Sequence, residues 1–326
     1  MTQATYDILG IGNAIVDVVT QADDAFLSRH DMHKGAMMLI DTPTADKIYA
    51  AMPPGKESSG GSAANTCAVA AGLGSRVAYI GKVADDQLGR VFRHDINAVG
   101  VHFPTAALSG GAPTARCLIL VTPDGQRTMN TFLGACVTLG EADVDAALVA
   151  ASAVTYLEGY LFDPPAAQAA FRKAATAAHA AGRRVALSLS DAFCVNRHRA
   201  AFLDLVANHV DILFANEAEI TALYERNTFE EAAEAARKDV ALAALTRSEA
   251  GSLILHGDET VKVAAEHAKV LDTTGAGDAY AAGFLSGLTA GKSLNLCGRM
   301  GSIAAAEIIS HYGARPETDL RKLMPA

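Results

Sequence analysis

The 326-residue chain is short of cationic charge and lacks the groupings that hold metals or cross membranes. Lysine and arginine number 27 against 36 acidic residues, giving a formal net charge of −9 and a pI near 5.5. That balance argues against nucleic acid as a partner, although a phosphate site made of backbone amides needs no basic surface. The cysteines Cys67, Cys117, Cys136, Cys194 and Cys297 are odd in number and never spaced C-x-x-C, which points to reduced, packed thiols and no structural zinc. The ten histidines form no H-E-x-x-H or paired cluster, so none is singled out as a ligand. No apolar run reaches membrane-spanning length, and MTQATYDILGIGN has no basic stretch followed by an apolar one. The expected setting is therefore cytoplasmic, with no membrane partner.

Two familiar nucleotide motifs also fail. GIGNAI, residues 10–15, puts Ile15 where a dinucleotide fingerprint needs its third glycine, which speaks against NAD. GLTAGKS, residues 287–293, has Ser286 where a phosphate loop needs its first glycine. It also lies at a helix end, so Gly291 reads as a C-cap.

What is present is a large apolar supply, half of all residues, arranged in alternation. The strand-like runs YDILGIG, RVAYIGKV, AVTYLEGY, RRVALSLS, VDILFAN, VALAALTR and GSLILHG are separated by helical stretches such as SAANTCAVAAGLG and FEEAAEAARK. Such alternation predicts an α/β fold with a mostly parallel sheet covered on both faces and ligands at the carboxyl ends of its strands. Residues 14–54, with KGAMMLID, and 104–133, with PTARCLILV, the turn PDGQ and RTMNTFLG, break the pattern as strands without crossover helices. They are expected to pair as a small β lid, leaving 1–13, 55–103 and 134–326 as the core, with an irregular edge of the main sheet as the alternative.

Four stretches carry candidate chemistry. In LDTTGAGDAYAAGFLSGL, residues 271–288, Asp278 follows two glycines at the head of an apolar helix. The amides of Gly275, Ala276 and Gly277 could nest an anion beside it, or Asp278 could simply cap the helix. In GGSAANTCAVAAGLG, residues 60–74, Gly61 permits close backbone approach, and Asn65 lies one turn into the helix with a donor and an acceptor to offer a hydroxyl. GNAIVD supplies Asn13 and Asp17, the latter able to accept from ligand hydroxyls or to serve a turn. In NEAE, Asn216 and Glu219 make a good capping pair, and local evidence favours that role. A carboxylate at a strand's carboxyl end could equally organise hydrated Mg²⁺.

Taken together, GNAIVD, GGSAANTCAVAAGLG, VAYIGKVADDQLG, GQRTMNTFLGA, NEAE, TRSEAGSLIL and DTTGAGDAYAAGFLSGL resemble the ribokinase-like, or PfkB, family of carbohydrate and nucleoside kinases over nearly the whole chain. The resemblance implies a Rossmann-like αβα sandwich with a small β-sheet lid, and Asp278 as catalytic base beside amides of Gly275, Ala276 and Gly277. It implies acceptor contacts from Asn13, Asp17, Gly61 and Asn65, nucleotide contacts from Asn216, Thr246, Gly251 and Arg127, and Glu219 acting on Mg²⁺ through water. ATP and Mg²⁺ follow as cofactors, with K⁺ as an optional third. The acceptor is a nucleoside or sugar, and the chain a monomer or homodimer. TRSEAG departs from the family's nucleotide loop at Ser248, where glycine is usual. The GNAIVD opening and long N-terminal lid are more similar to the adenosine kinase branch than to ribokinase. That favours a purine nucleoside, with Met37, Met38, Leu39, Phe132, Tyr160 and Phe162 either as apolar contacts for a base or as the lid's own core.

Overall fold

A computed structural model describes residues 4–325; residues 1–3 and 326, inside the ranges expected for the core, lie outside the described residues. Strand β1 (Tyr6–Ile11) leads almost directly into β2 (Ile15–Gln21), followed by α1 (Asp24–Arg29), β3 (Met37–Leu39), α2 (Thr42–Ala51), β4 (Lys56–Gly60) and α3 (Ser62–Gly72). Next come β5 (Val77–Ile80), α4 (Gln87–Ala98), the short β6 (Val101–His102) and the hairpin β7 (Ala115–Val121) and β8 (Arg127–Phe132). Strand and helix then alternate through α5 (Ala146–Ala150), β9 (Ser152–Glu158), α6 (Pro165–Ala180), β10 (Arg184–Ser188), α7 (Ala192–His209), β11 (Ile212–Asn216), α8 (Glu217–Tyr224), α9 (Phe229–Asp239) and β12 (Leu242–Thr246). The described chain closes with β13 (Ser252–His256), β14 (Glu259–Val263), α10 (Ala276–Thr289) and α11 (Leu294–Ile308).

Among the described residues the main sheet has nine strands, ordered β14-β13-β12-β11-β10-β9-β1-β5-β6. It is parallel from β6 to β12, with β13 and β14 antiparallel at one edge. Successive strand residues point to opposite faces. Ile8, Tyr79, Tyr156, Phe214 and Ala244 pack with residues of α3, α4, α10 and α11, while Leu9, Ile80, Leu157, Leu213 and Leu245 pack with those of α5 to α9. Burial on both faces is why these strands read as unbroken apolar runs, and the arrangement is the expected α/β sandwich.

A second sheet runs β3-β8-β7-β2-β4. Val16, Val18, Leu118 and Leu120 on one face join the same hydrophobic cluster as α3 and α4. The other face looks into the cleft. This sheet also takes in β4, whose residues fall in the range expected for the core, with Ile15 of β2 opposite Gly60. Helices α1 and α2 lie within 14–54, where strands alone were expected. They start at the caps Asp23 and Asp41, which accept from the Phe26 and Thr44 amides, but α1 spans fewer than two turns and gives little periodicity to read. The C-cap of α10 is Ala290, and Gly291, expected as the cap, follows it at φ 73° as the left-handed glycine that ends the helix. GIGNAI joins two strands rather than a strand and a helix, so it has no dinucleotide geometry. Among the described residues no helix is long and apolar enough to cross a membrane.

Candidate active site

The carboxyl ends of the main strands, the start of α10 and the open face of the second sheet enclose one cleft of about 1610 Å³. At its centre is the start of α10. Gly275 caps this helix in the left-handed region, at φ 80°, where a Cβ would also lie 2.6 Å from the Ala314 Cβ, so only glycine fits. The chain thereby turns Asp278 into the cleft within the first helical turn. Its Oδ1 accepts the Ser62 hydroxyl at 2.6 Å and its Oδ2 the Asn65 amide at 3.4 Å. Burial pushes the Asp278 carboxyl up to about 6, opposed by the Ser62 and Asn65 hydrogen bonds and by the charge of Arg315. Of the three flanking amides, that of Ala276 is engaged by the Thr273 carbonyl at 3.2 Å.

The four residues expected to contact an acceptor, Asn13, Asp17, Gly61 and Asn65, all line the cleft around the α3 start. Gly61 caps α3 at φ 97°, and a Cβ there would lie 2.0 Å from the Asn13 carbonyl oxygen. Asn65, one turn on, is buried. Asp17 lies over Gly60, where a Cβ would meet its carboxylate at 2.3 Å. Burial raises Asp17 to about 6 against the pull of Arg315 and Arg127. Asn13 donates its amide to Glu158 Oε1 at 2.7 Å, leaving its own Oδ1 buried without a partner. Glu158 was not singled out in the sequence. It ends β9, is 1% exposed, and also accepts the Ala63 amide at 2.8 Å. Burial pushes it up to about 7, against hydrogen bonds from Ala63 and Asn13.

At the other end, Asn216 and Glu219 form the expected capping box and line the cleft at the same time. Asn216 Oδ1 accepts the Glu219 amide at 2.9 Å, and Glu219 accepts the Asn216 backbone amide at 2.9 Å and its side-chain amide at 2.6 Å. Glu219 is buried and thereby pushed up to about 7. Thr246 ends β12 beside a turn in which Arg247 N–H donates to the Gly251 carbonyl at 2.8 Å. Ser248 holds φ of 48°, so the loop keeps the left-handed step that glycine would supply, and Gly251 follows at φ 83°. Among the described residues no three His, Cys, Asp or Glu side chains converge as metal ligands.

Arg127 is ion-paired with Asp272, with its Nε buried and unpartnered. Burial works against charge on Asp272, but the Gly313 amide, Thr274 and Arg127 together hold it below the usual carboxylate range. The sequence reading did not single out Ser62, Asp272 or Arg315. Arg315 lines the cleft and donates to Ser59 and Ala64.

The open face of the second sheet presents Ile15, Asp17 and Val19 of β2, Cys117, Ile119 and Val121 of β7, Met129 of β8 and Met37 and Leu39 of β3. Of the apolar contacts expected for a base, Met37, Leu39 and Tyr160 line the cleft. Phe132 does not, because strand alternation turns it to the opposite face with Thr128 and Asn130. Met38 alternates away from Met37 and Leu39 in the same manner. Phe162 is buried between Phe171 and Phe202.

A model of the pfkB family carbohydrate kinases matches residues 39–320. The chain belongs to the PfkB family. It is 54% identical to the solved structure of adenosine kinase from Sinorhizobium meliloti, covering 98% of both chains with a TM-score of 0.89. It is 49% identical to the structure of a probable sugar kinase from Rhizobium etli CFN 42, again with 98% of both chains covered and a TM-score of 0.90. The adenosine kinase of Saccharomyces cerevisiae is 28% identical over 339 residues, 95% of this chain and 96% of that protein. As a PfkB kinase the chain transfers a phosphoryl group to a nucleoside or a sugar. The family implies ATP as donor, typically with Mg²⁺.

Proposed function

We propose that this PfkB kinase phosphorylates the 5′-type hydroxyl of a purine nucleoside, with adenosine or a close relative as acceptor. The observation that carries the reading is the pairing of Asp17, among hydroxyl-binding groups, with the apolar rows of the same sheet face, Ile15, Val19, Ile119, Met129, Met37 and Leu39. A ribose has hydroxyls for the first and a flat base has surface for the second. The 54% identity to an adenosine kinase supports it.

In this reading Asn13, Asp17, Gly61 and Asn65 hold the ribose, and Asp278 takes the proton of the attacking hydroxyl. A carboxyl near 6 is ionised at neutral pH yet basic enough for that transfer. The amides around Gly275, Ala276 and Gly277 and the α10 dipole steady charge on the transferred group, with Arg127 standing on the second-sheet side. Thr246 and Gly251 flank the nucleotide. The donor set fits a hydrated Mg²⁺: Glu219 is a buried carboxylate with one hydrogen bond on each oxygen and lone pairs to spare for water. Such an ion supplies neutralisation of phosphate charge. Residues 14–54 and 104–133 act as a lid that excludes water from the closed site.

The alternative acceptor is a free sugar such as ribose, a ketohexose or 2-keto-3-deoxygluconate, supported by the likeness to a probable sugar kinase. A panel of adenosine, inosine, ribose, fructose and 2-keto-3-deoxygluconate, read by ATP turnover and thermal shift, separates them. Adenosine should be turned over with the highest kcat/KM. Turnover of a sugar with no response to adenosine overturns the nucleoside reading.

A further inference from the structure

The C-terminal loop after α11 carries an arginine with no assigned part in the chemistry. Arg315 donates from Nη2 to the Ser59 carbonyl at 2.6 Å and the Ser59 hydroxyl at 3.0 Å, and from Nη1 to the Ala64 carbonyl at 3.3 Å. Those acceptors bracket the turn from β4 to α3, which holds Gly61 and leads to Ser62 and Asn65. All three are neutral, and among the described residues the guanidinium has formed no ion pair. Its charge instead acts on Asp95, Asp17 and Asp278.

The loop itself is stitched down. Glu307 Oε1 accepts the amides of Glu317 at 2.9 Å and Thr318 at 3.0 Å and the Thr318 hydroxyl at 3.1 Å. Gly313 donates to Asp272 at 3.0 Å, and Ala314 abuts Gly275, the α10 cap. One short segment thus touches the anion-binding turn on one side and the acceptor turn on the other.

We propose that Arg315 is a positioning residue of the phosphoryl-transfer site: its guanidinium ties the β4–α3 turn to the loop that abuts Gly275, and it is the cation shared by the carboxylates Asp17 and Asp278. This rests on Asp278 acting as the base. The groups facing Asp278 are mostly acidic: Asp17 from β2, Glu158 and Tyr156 from β9, Glu219 from α8, and Tyr160 beyond β9. Burial disfavours charge on Asp278, and Arg315 opposes it together with the Ser62 and Asn65 hydrogen bonds, while Asp278 in turn raises Asp17, Glu158 and Glu219. Without Arg315 both carboxyls hold their protons to higher pH, and the base is idle over more of the neutral range.

The test is Arg315→Gln, with Arg315→Met as a second neutral variant that keeps aliphatic bulk and Arg315→Lys as the charge-keeping control. A ¹³C-carboxyl titration of the aspartate-labelled chain, without acceptor or ATP, locates Asp17 and Asp278 through the signals lost in Asp17→Asn and Asp278→Asn. Both midpoints should rise by about one pH unit in the neutral variants and stay near the wild-type value in Arg315→Lys. In turnover, the acid limb should move up by the same amount in the neutral variants. Arg315→Lys should keep the limb and raise KM for the acceptor, because one ammonium cannot bridge Ser59 and Ala64 as a fork does. Unmoved midpoints overturn the proposal, as does a tenfold rise in KM for ATP with midpoints unchanged, which would make Arg315 a phosphate ligand. The titration needs no acceptor, so failure of the nucleoside reading leaves it intact.

Discussion

Arg127, on the second sheet, is paired with Asp272 at the head of the DTTGAGD stretch, and neither side chain is more than 10% exposed. The pair fastens the second sheet to the turn that leads into α10. Arg127→Ala would leave a buried carboxylate without its counter-charge and should cost on the order of 3 kcal/mol in denaturant unfolding. Arg127→Ala with Asp272→Asn should cost less than the single change. Segments 14–54 and 104–133 should also be cleaved faster by protease in Arg127→Ala, and bound acceptor should slow cleavage in the wild type.

Asp278→Asn should fold normally and lose about 10²–10⁴-fold in turnover, the contribution of one positioned base. In the wild type the base works only when ionised. Activity should therefore fall as pH drops through about 6, the value to which burial raises this carboxyl. Steady-state ATP consumption against pH, paired with thermal melts, checks both.

Glu158 sets a stability trend of a particular sign. Its folded-state value, about 7, lies above the ordinary 4.5, so the folded protein binds a proton that the unfolded chain has released across that interval. Its contribution is fully present below about 4.5 and is lost as pH rises through about 7. Melting temperature should decline over that window in the wild type, and Glu158→Gln should flatten the decline.

Gly251→Ala should destabilise by about 3 kcal/mol and weaken ATP binding, since its φ of 83° and a contact of 2.1 Å to the Val263 carbonyl oxygen forbid a Cβ. Ser248→Gly should change stability by less than about 1 kcal/mol, relief at φ 48° being offset by the freer unfolded chain. Urea unfolding and ATP titration of the two variants separate the cases.

The alternation of strands and helices was legible because burial on both faces makes parallel strands unbroken apolar runs. Asp278, Asn65, Gly61 and Glu219 were legible because each sits in a short motif whose backbone geometry the local residues dictate. Arg315, Asp272 and Glu158 were not. Arg315 meets its acceptors more than 250 positions away, and no local spacing records such a contact. Glu158 reads as a polar interruption at the end of AVTYLEGY until the fold brings Asn13 and Ala63 to it. Phe132 was misread because composition does not say which side of a strand faces the cleft.

At one place the chain crosses between the two sheets twice. β1 passes into β2 through Gly12 to Ala14, β4 passes into α3 through Gly61, and Ile15 and Gly60 are paired side by side at the crossing. Asn13 is held by Glu158 of the main sheet, whereas Asp17 stands on β2 of the second sheet. A ligand held by both would span the two sheets, so the distance between Asn13 and Asp17 would measure the length of any acceptor that reaches Asp278.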